Sequence, residues 1–150
     1  MNVLTILMLF CFLKPIKPEI YLSNLNATCL RCICVGLTNC NVLRGCENEY
    51  CGPFYISRIY WADAGKVVFP DDNPNRENSF SDCASDYPCA SKIITNYMIK
   101  YAKDCNDDNV IDCSDYAAIH LNGFANCDVK LESLSHGRDF LSRYNQCKLY

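Results

Sequence analysis

Apolar positions follow three different rhythms along this chain. Residues 3–13 (VLTILMLFCFL) form an uncharged apolar run that ends at Lys14 and Pro15. Its length suits the core of a secretory leader and is too short for a bilayer-spanning helix. We therefore expect residues 1–18 to be leader and linker, with cleavage somewhere between Leu13 and Thr28 and no membrane span in the mature chain. The second rhythm is helical. Apolar side chains at Cys89, Ala90, Ile93, Ile94, Tyr97, Met98, Tyr101 and Ala102 trace one face for more than three turns, with Lys92, Lys100 and Lys103 off it. Pro88 suits the first turn of that helix. A shorter helix is predicted to start at Ser114 or Asp115, bury Ala117, Ala118 and Leu121, and stop at Asn122-Gly123. A last amphipathic piece covers residues 137–144. The third rhythm is irregular. The aromatic stretch at residues 54–61 fits a strand or a short helix, and the polar residues 70–81 (PDDNPNRENSFS) read as an exposed loop.

Cysteine changes the picture more than any other residue type. The chain holds 13, of which Cys11 lies inside the apolar run. The remaining dozen are Cys29, Cys32, Cys34, Cys40, Cys46, Cys51, Cys83, Cys89, Cys105, Cys113, Cys127 and Cys147. An even set in a short exported chain reads as a disulfide framework, and zinc is the weaker alternative because repeated C-x2-C pairs are missing. Proximity favours the rings Cys34–Cys40, Cys46–Cys51 and Cys83–Cys89. Crowding between Cys29 and Cys51 argues against a long regular helix there. The expected fold is a small α-rich α+β domain stapled by about six bridges, spanning residues 29–147. A formal charge of −3 points away from nucleic acid and from membrane-lysing peptides. The sequon Asn26-Ala27-Thr28 marks Asn26 as a glycosylation site of an exported chain.

Several local motifs resemble the invertebrate-type lysozyme and destabilase family. They are Cys29-Leu30-Arg31-Cys32-Ile33-Cys34, Cys51-Gly52-Pro53-Phe54-Tyr55-Ile56, Tyr60-Trp61-Ala62-Asp63-Ala64-Gly65, Asn96-Tyr97-Met98 and Ala117-Ala118-Ile119-His120. The resemblance runs from about Cys29 to Cys147, and the Asp63-Ala64-Gly65 ending is similar to insect members. It implies a lysozyme-like fold and the further bridges Cys29–Cys113, Cys32–Cys147 and Cys105–Cys127. It also implies a peptidoglycan glycoside hydrolase, acting in defence or digestion outside the cell, with no cofactor required.

Such chemistry needs two carboxyl groups, one protonated to donate to the leaving oxygen and one to stabilise or attack the sugar carbon. The family keeps its acid three residues before the cysteine that closes the first small ring. In Cys34-Val35-Gly36-Leu37-Thr38-Asn39-Cys40 that slot holds Leu37, which has no proton to give. The second carboxylate falls on Glu49, or on Glu47 if the shorter segment before Cys51 is aligned differently. Tyr60 and Trp61 are the candidate cleft aromatics. His120 matches a family histidine and would serve an isopeptidase if a serine such as Ser57, Ser85 or Ser91 lay beside it, while His136 reads as surface. A non-catalytic glycan-binding protein is the remaining alternative. Separately, Asp104, Asn106, Asp108, Asp112 and Asp115 occupy positions 1, 3, 5, 9 and 12 of a loop between two predicted helices, the spacing of a calcium site.

Overall fold

The computed structural model describes residues 22 and 24–147; the apolar leader and Cys11 lie outside them, as does most of the stretch where cleavage is expected. Helix α1 (Ala27–Thr38) is capped by Asn26, whose side chain accepts from Cys29 N, and it ends at Asn39 in the left-handed conformation. A glycan on Asn26 would be carried by the amide nitrogen, whereas the capping atom is the oxygen. Three short antiparallel strands follow, β1 (Cys46–Glu47), β2 (Tyr50–Cys51) and β3 (Ile56–Ser57), in the order β1-β2-β3 with Cys46 opposite Cys51. Helices α2 (Arg58–Asp63), α3 (Ser79–Ser85), α4 (Tyr87–Tyr101), α5 (Cys113–Asn122) and α6 (Ser135–Cys147) complete the frame, with 3-10 turns at Phe124–Asn126 and Leu131–Ser133.

Helix α1 corrects the expectation that dense cysteines would exclude a long helix. Cys29, Cys32, Ile33 and Gly36 are all buried on it, and their spacing is itself a helical face. Its cysteines reach three separate partners. Cys29 joins Cys113 on α5, Cys32 joins Cys147 on α6, and Cys34 closes a ring with Cys40. The bridges Cys46–Cys51, Cys83–Cys89 and Cys105–Cys127 complete the six. A cysteine behaves as a small apolar residue, so three of them fit on a helix whose buried face they help to form.

The remaining expectations fall close to the observed elements. The periodic segment forms α4, with Asp86 accepting from Cys89 N at its start. Gly123, at φ 76°, ends α5 where glycine was expected to stop it. The aromatic stretch divides into β3 and α2, with the Ser57 hydroxyl capping the helix on Tyr60 N. The polar loop ends earlier than expected. Ser79 and Phe80 are buried in α3, and the Ser79 hydroxyl donates to Pro74 O and Arg76 O.

The core gathers Ile33, Phe54, Ile56, Ile93, Ile94, Met98, Tyr116, Ile119 and Phe140. Helix α6 lies so close on α1 that a Cβ at Gly36 would run into the Phe140 ring. Arg143 of α6 then donates from Nε and Nη2 to Gly36 O, at 2.9 and 2.6 Å. That carbonyl belongs to the last turn of α1, where helical partners run out. Gly36→Ala should therefore cost about 1–3 kcal/mol through overpacking, measured as a drop in denaturant midpoint. An unchanged midpoint would show that α6 moves aside freely.

Candidate functional site

The segment Pro53–Phe54 joins the elements that carry the candidate residues. Thr38, next to Leu37 at the end of α1, donates from its hydroxyl to Pro53 O at 2.6 Å. The adjacent carbonyl, Phe54 O, lies 2.9 Å from His120 Nε2 in the last turn of α5. Two consecutive carbonyls thus tie α1 and α5 to the strands. Leu37 itself is half-buried and packs on the core; its own carbonyl lies 3.4 Å from Arg143 Nη2.

Between β1 and β2 the chain turns at Asn48 and Glu49, whose φ values are 49° and 70°. A two-residue turn of this kind needs left-handed backbone at both central positions. Asparagine tolerates that conformation, whereas a glutamate there costs on the order of 1 kcal/mol. The two candidate carboxylates differ in surroundings. Glu47 is held by Arg44 at 2.6 Å, and Arg44 also lies over the Tyr55 ring, which stacks on Tyr50. Glu49 has no ion pair among the described residues. It lines a groove of about 510 Å³ with Tyr50, Ser57, Arg58, Ile59 and Phe80. Leu37 and His120 are not among the walls of that groove.

His120 is a clamp in this structure. A carbonyl only accepts, so Nε2 carries the proton and Nδ1 is left with a lone pair. That Nδ1 is buried without a protein partner. Burial lowers the imidazole from its ordinary 6.5 to about 4, against the opposing pull of the Phe54 carbonyl. The ring is neutral at pH 7. No serine is hydrogen-bonded to it among the described residues. Ser57 accepts from Tyr60 N, and Ser91 donates to Tyr87 O.

The cleft aromatics need correction. Trp61 is only 3% exposed and donates from Nε1 to Val67 O at 2.6 Å, so it is a core residue with no face for a sugar. Tyr60 stacks on Tyr97 at 3.8 Å and meets the His120 ring edge-on. Its hydroxyl is buried without a protein partner, and that burial raises its pKa well above the usual phenol range, with Tyr97 adding to the rise. The aromatic side chains that do reach solvent beside Glu49 are Tyr50 and, next to it, Tyr55. Their signal was the expected Cys46–Cys51 ring, which closes the hairpin between β1 and β2.

A larger groove of about 800 Å³ lies between α5, α6 and the loop before α5, lined in part by Asp107, Asp115, Asp128, Lys130 and Glu132. The loop with calcium spacing borders it, and its oxygens are turned onto backbone N–H groups. Asp104 accepts from Asn106 N and Asn109 N, Asn106 from Asp108 N, and Asp108 from Val110 N. Asp112 and Asp115 form a capping box at the start of α5, and buried Asp115 also accepts from Cys105 N at 2.8 Å. Among the described residues no group of three or more His, Cys, Asp or Glu is placed to hold a metal ion. Collecting the five oxygens round one ion would break the capping box. We expect melting curves in millimolar calcium and in chelator to coincide. A rise in Tm with calcium would show that the loop rearranges to bind it.

Comparison with known proteins sets this geometry in a family. The family model described as Destabilase matches residues 26–147. A lysozyme of Magallana gigas is 35% identical over 111 residues, covering 70% of this chain and 71% of the relative. Invertebrate-type lysozyme 3 of Caenorhabditis elegans is 28% identical, covering 68% of this chain and 75% of the relative. A crystal structure of Meretrix lusoria lysozyme in complex with Aeromonas hydrophila PliI superposes with a TM-score of 0.59 at 25% identity, over 84% of this chain and 93% of that one. With a family match across nearly all the described residues and lysozymes among its relatives, the chain belongs to the destabilase family of invertebrate-type lysozymes.

Proposed function

We propose that this protein is an exported member of the family that binds the glycan of bacterial cell walls and hydrolyses its β-1,4 bonds weakly or not at all. One observation carries the reading. At the position that resembles the acid's slot, the last turn of α1 presents a half-buried hydrocarbon, Leu37, packed on the core. General acid catalysis is worth roughly 10²–10⁴ in rate, so its loss leaves a lysozyme slow even if the second carboxylate works. The groove beside Glu49 is kept open, which supports binding.

Export rests on the apolar leader and on six disulfides, which persist in oxidising compartments. Among the described residues no helix is long and apolar enough to cross a membrane. A role in antibacterial defence or digestion follows from the wall as ligand. The isopeptidase alternative receives no support from His120, whose Nε2 is committed to Phe54 O and whose Nδ1 has no hydrogen-bond partner among the described residues.

Cosedimentation with insoluble peptidoglycan tests the binding. The protein should pellet with the walls and be released by soluble chitin oligosaccharides. Protein that stays in the supernatant at every wall concentration would sink the proposal.

A further inference from the structure

The groove beside Glu49 contains a second charged side chain, of opposite sign. Arg58, the first residue of α2, lies with its guanidinium carbon 4.9 Å from the centre of the Phe80 ring. Phe80 is 3% exposed and is backed by Trp61 at 5.5 Å, so the cation rests on a fixed surface. A guanidinium held over an aromatic face still carries N–H donors that can meet an acceptor. The nearby carboxylates do not use them. Arg76 holds both Asp72 and Asp82, and Arg58 has no ion pair among the described residues. Glu49, the other charged residue of the groove, is likewise unpaired. Ile59, 77% exposed, and Tyr50, 41% exposed, supply apolar surface beside these two charges.

A groove with one unpaired cation, one unpaired anion and apolar walls fits a ligand that combines an acid with hydrogen-bond donors and a hydrophobic ring face. A neutral sugar offers only the last two. We infer that this groove is a subsite for a carboxylate-bearing glycan or glycopeptide, with Arg58 receiving the acid and Glu49 accepting from ligand N–H or O–H groups. The inference rests on the glycan-binding reading and narrows it to acidic saccharides. In a bacterial wall the acid has two sources, the lactyl group of the muramic sugar and the terminus of the peptide it carries. Arg58 would bind either through the same bidentate geometry.

The test compares soluble ligands of equal sugar length by calorimetric or NMR titration of the mature protein. One is chitobiose, which is neutral. The second is the N-acetylglucosamine–N-acetylmuramic acid disaccharide, with a free lactyl acid. The third is the same disaccharide with the lactyl group amidated to a short peptide ending in a carboxylate. At low salt at least one acidic ligand should bind about fivefold more tightly than chitobiose, the upper range for an exposed charge pair. That preference should fade near 1 M salt, where the Debye length is about 3 Å. Arg58→Gln should equalise the ligands, and Arg58→Lys should keep part of the preference. A preference confined to the second or third ligand supports the inference and identifies the source of the acid. Equal affinities in the unmodified protein, or an acid preference that survives Arg58→Gln, would overturn it with the glycan-binding reading intact. Failure of all three ligands to bind would overturn both.

Discussion

Leu37→Glu is expected to raise the rate of cell-wall clearing at least about tenfold over the unmodified protein, within the roughly 10²–10⁴ that a positioned acid contributes. The new carboxyl would sit in the last turn of α1, where the negative end of the helix dipole disfavours ionisation. Its half-buried setting works in the same direction, and a raised pKa is what a general acid needs. The Arg143 guanidinium, bonded to the carbonyls of Gly36 and Leu37, opposes this and limits the gain. Recovery is also limited because Leu37 is not a wall of the groove that holds Glu49. Adding Glu49→Gln to the Leu37→Glu protein should abolish the gain, since the second carboxylate is then neutral. A Leu37→Glu protein that folds, binds walls and clears them no faster would show that this slot no longer faces the scissile bond. A gain that survives Glu49→Gln would move the partner role elsewhere.

The second large effect is on stability in acid. Folded His120 titrates near 4 and an unfolded histidine near 6.5, so the folded state excludes a proton that the unfolded state takes up. The stabilisation is therefore complete above pH 6.5 and is lost as pH falls toward 4, to a total of about 3 kcal/mol. His120→Gln keeps an N–H donor for Phe54 O and removes the titration. Between pH 6.5 and 4 the unmodified protein should lose about 3 kcal/mol more than the variant, read from denaturant midpoints at each pH. Parallel profiles would mean that the imidazole is solvated and free to charge.

Periodicity made the second half of the chain legible. Helix α4 lies within a residue or two of its expected bounds because one apolar face runs through more than three turns. Helix α1 was hidden because its buried face is written in cysteine and glycine rather than leucine. Short rings could be read from proximity, whereas Cys29–Cys113 and Cys32–Cys147 close loops too long for spacing to specify and came only from the family resemblance.

The site was legible in part. The sequence does not separate the surroundings of Glu47 and Glu49; in the fold Arg44 pairs with Glu47, while Glu49 lines the groove. Trp61 misled because an aromatic motif signals burial as readily as sugar binding, and its indole N–H has a backbone partner. Arg58 could not be read at all. Its meaning depends on Phe80, which the sequence placed in a polar loop and the fold puts beneath the guanidinium.

On the proposed reading, a lysozyme frame keeps an open groove for glycan while the position of its acid holds the hydrocarbon Leu37. Turbidity clearing of bacterial cell walls by the unmodified protein, at matched concentration beside an active family member such as a bivalve lysozyme, tests it most directly. Clearing should be slower by at least about a hundredfold. Clearing at a comparable rate would contradict it, and would mean that another carboxyl group donates the proton that Leu37 cannot.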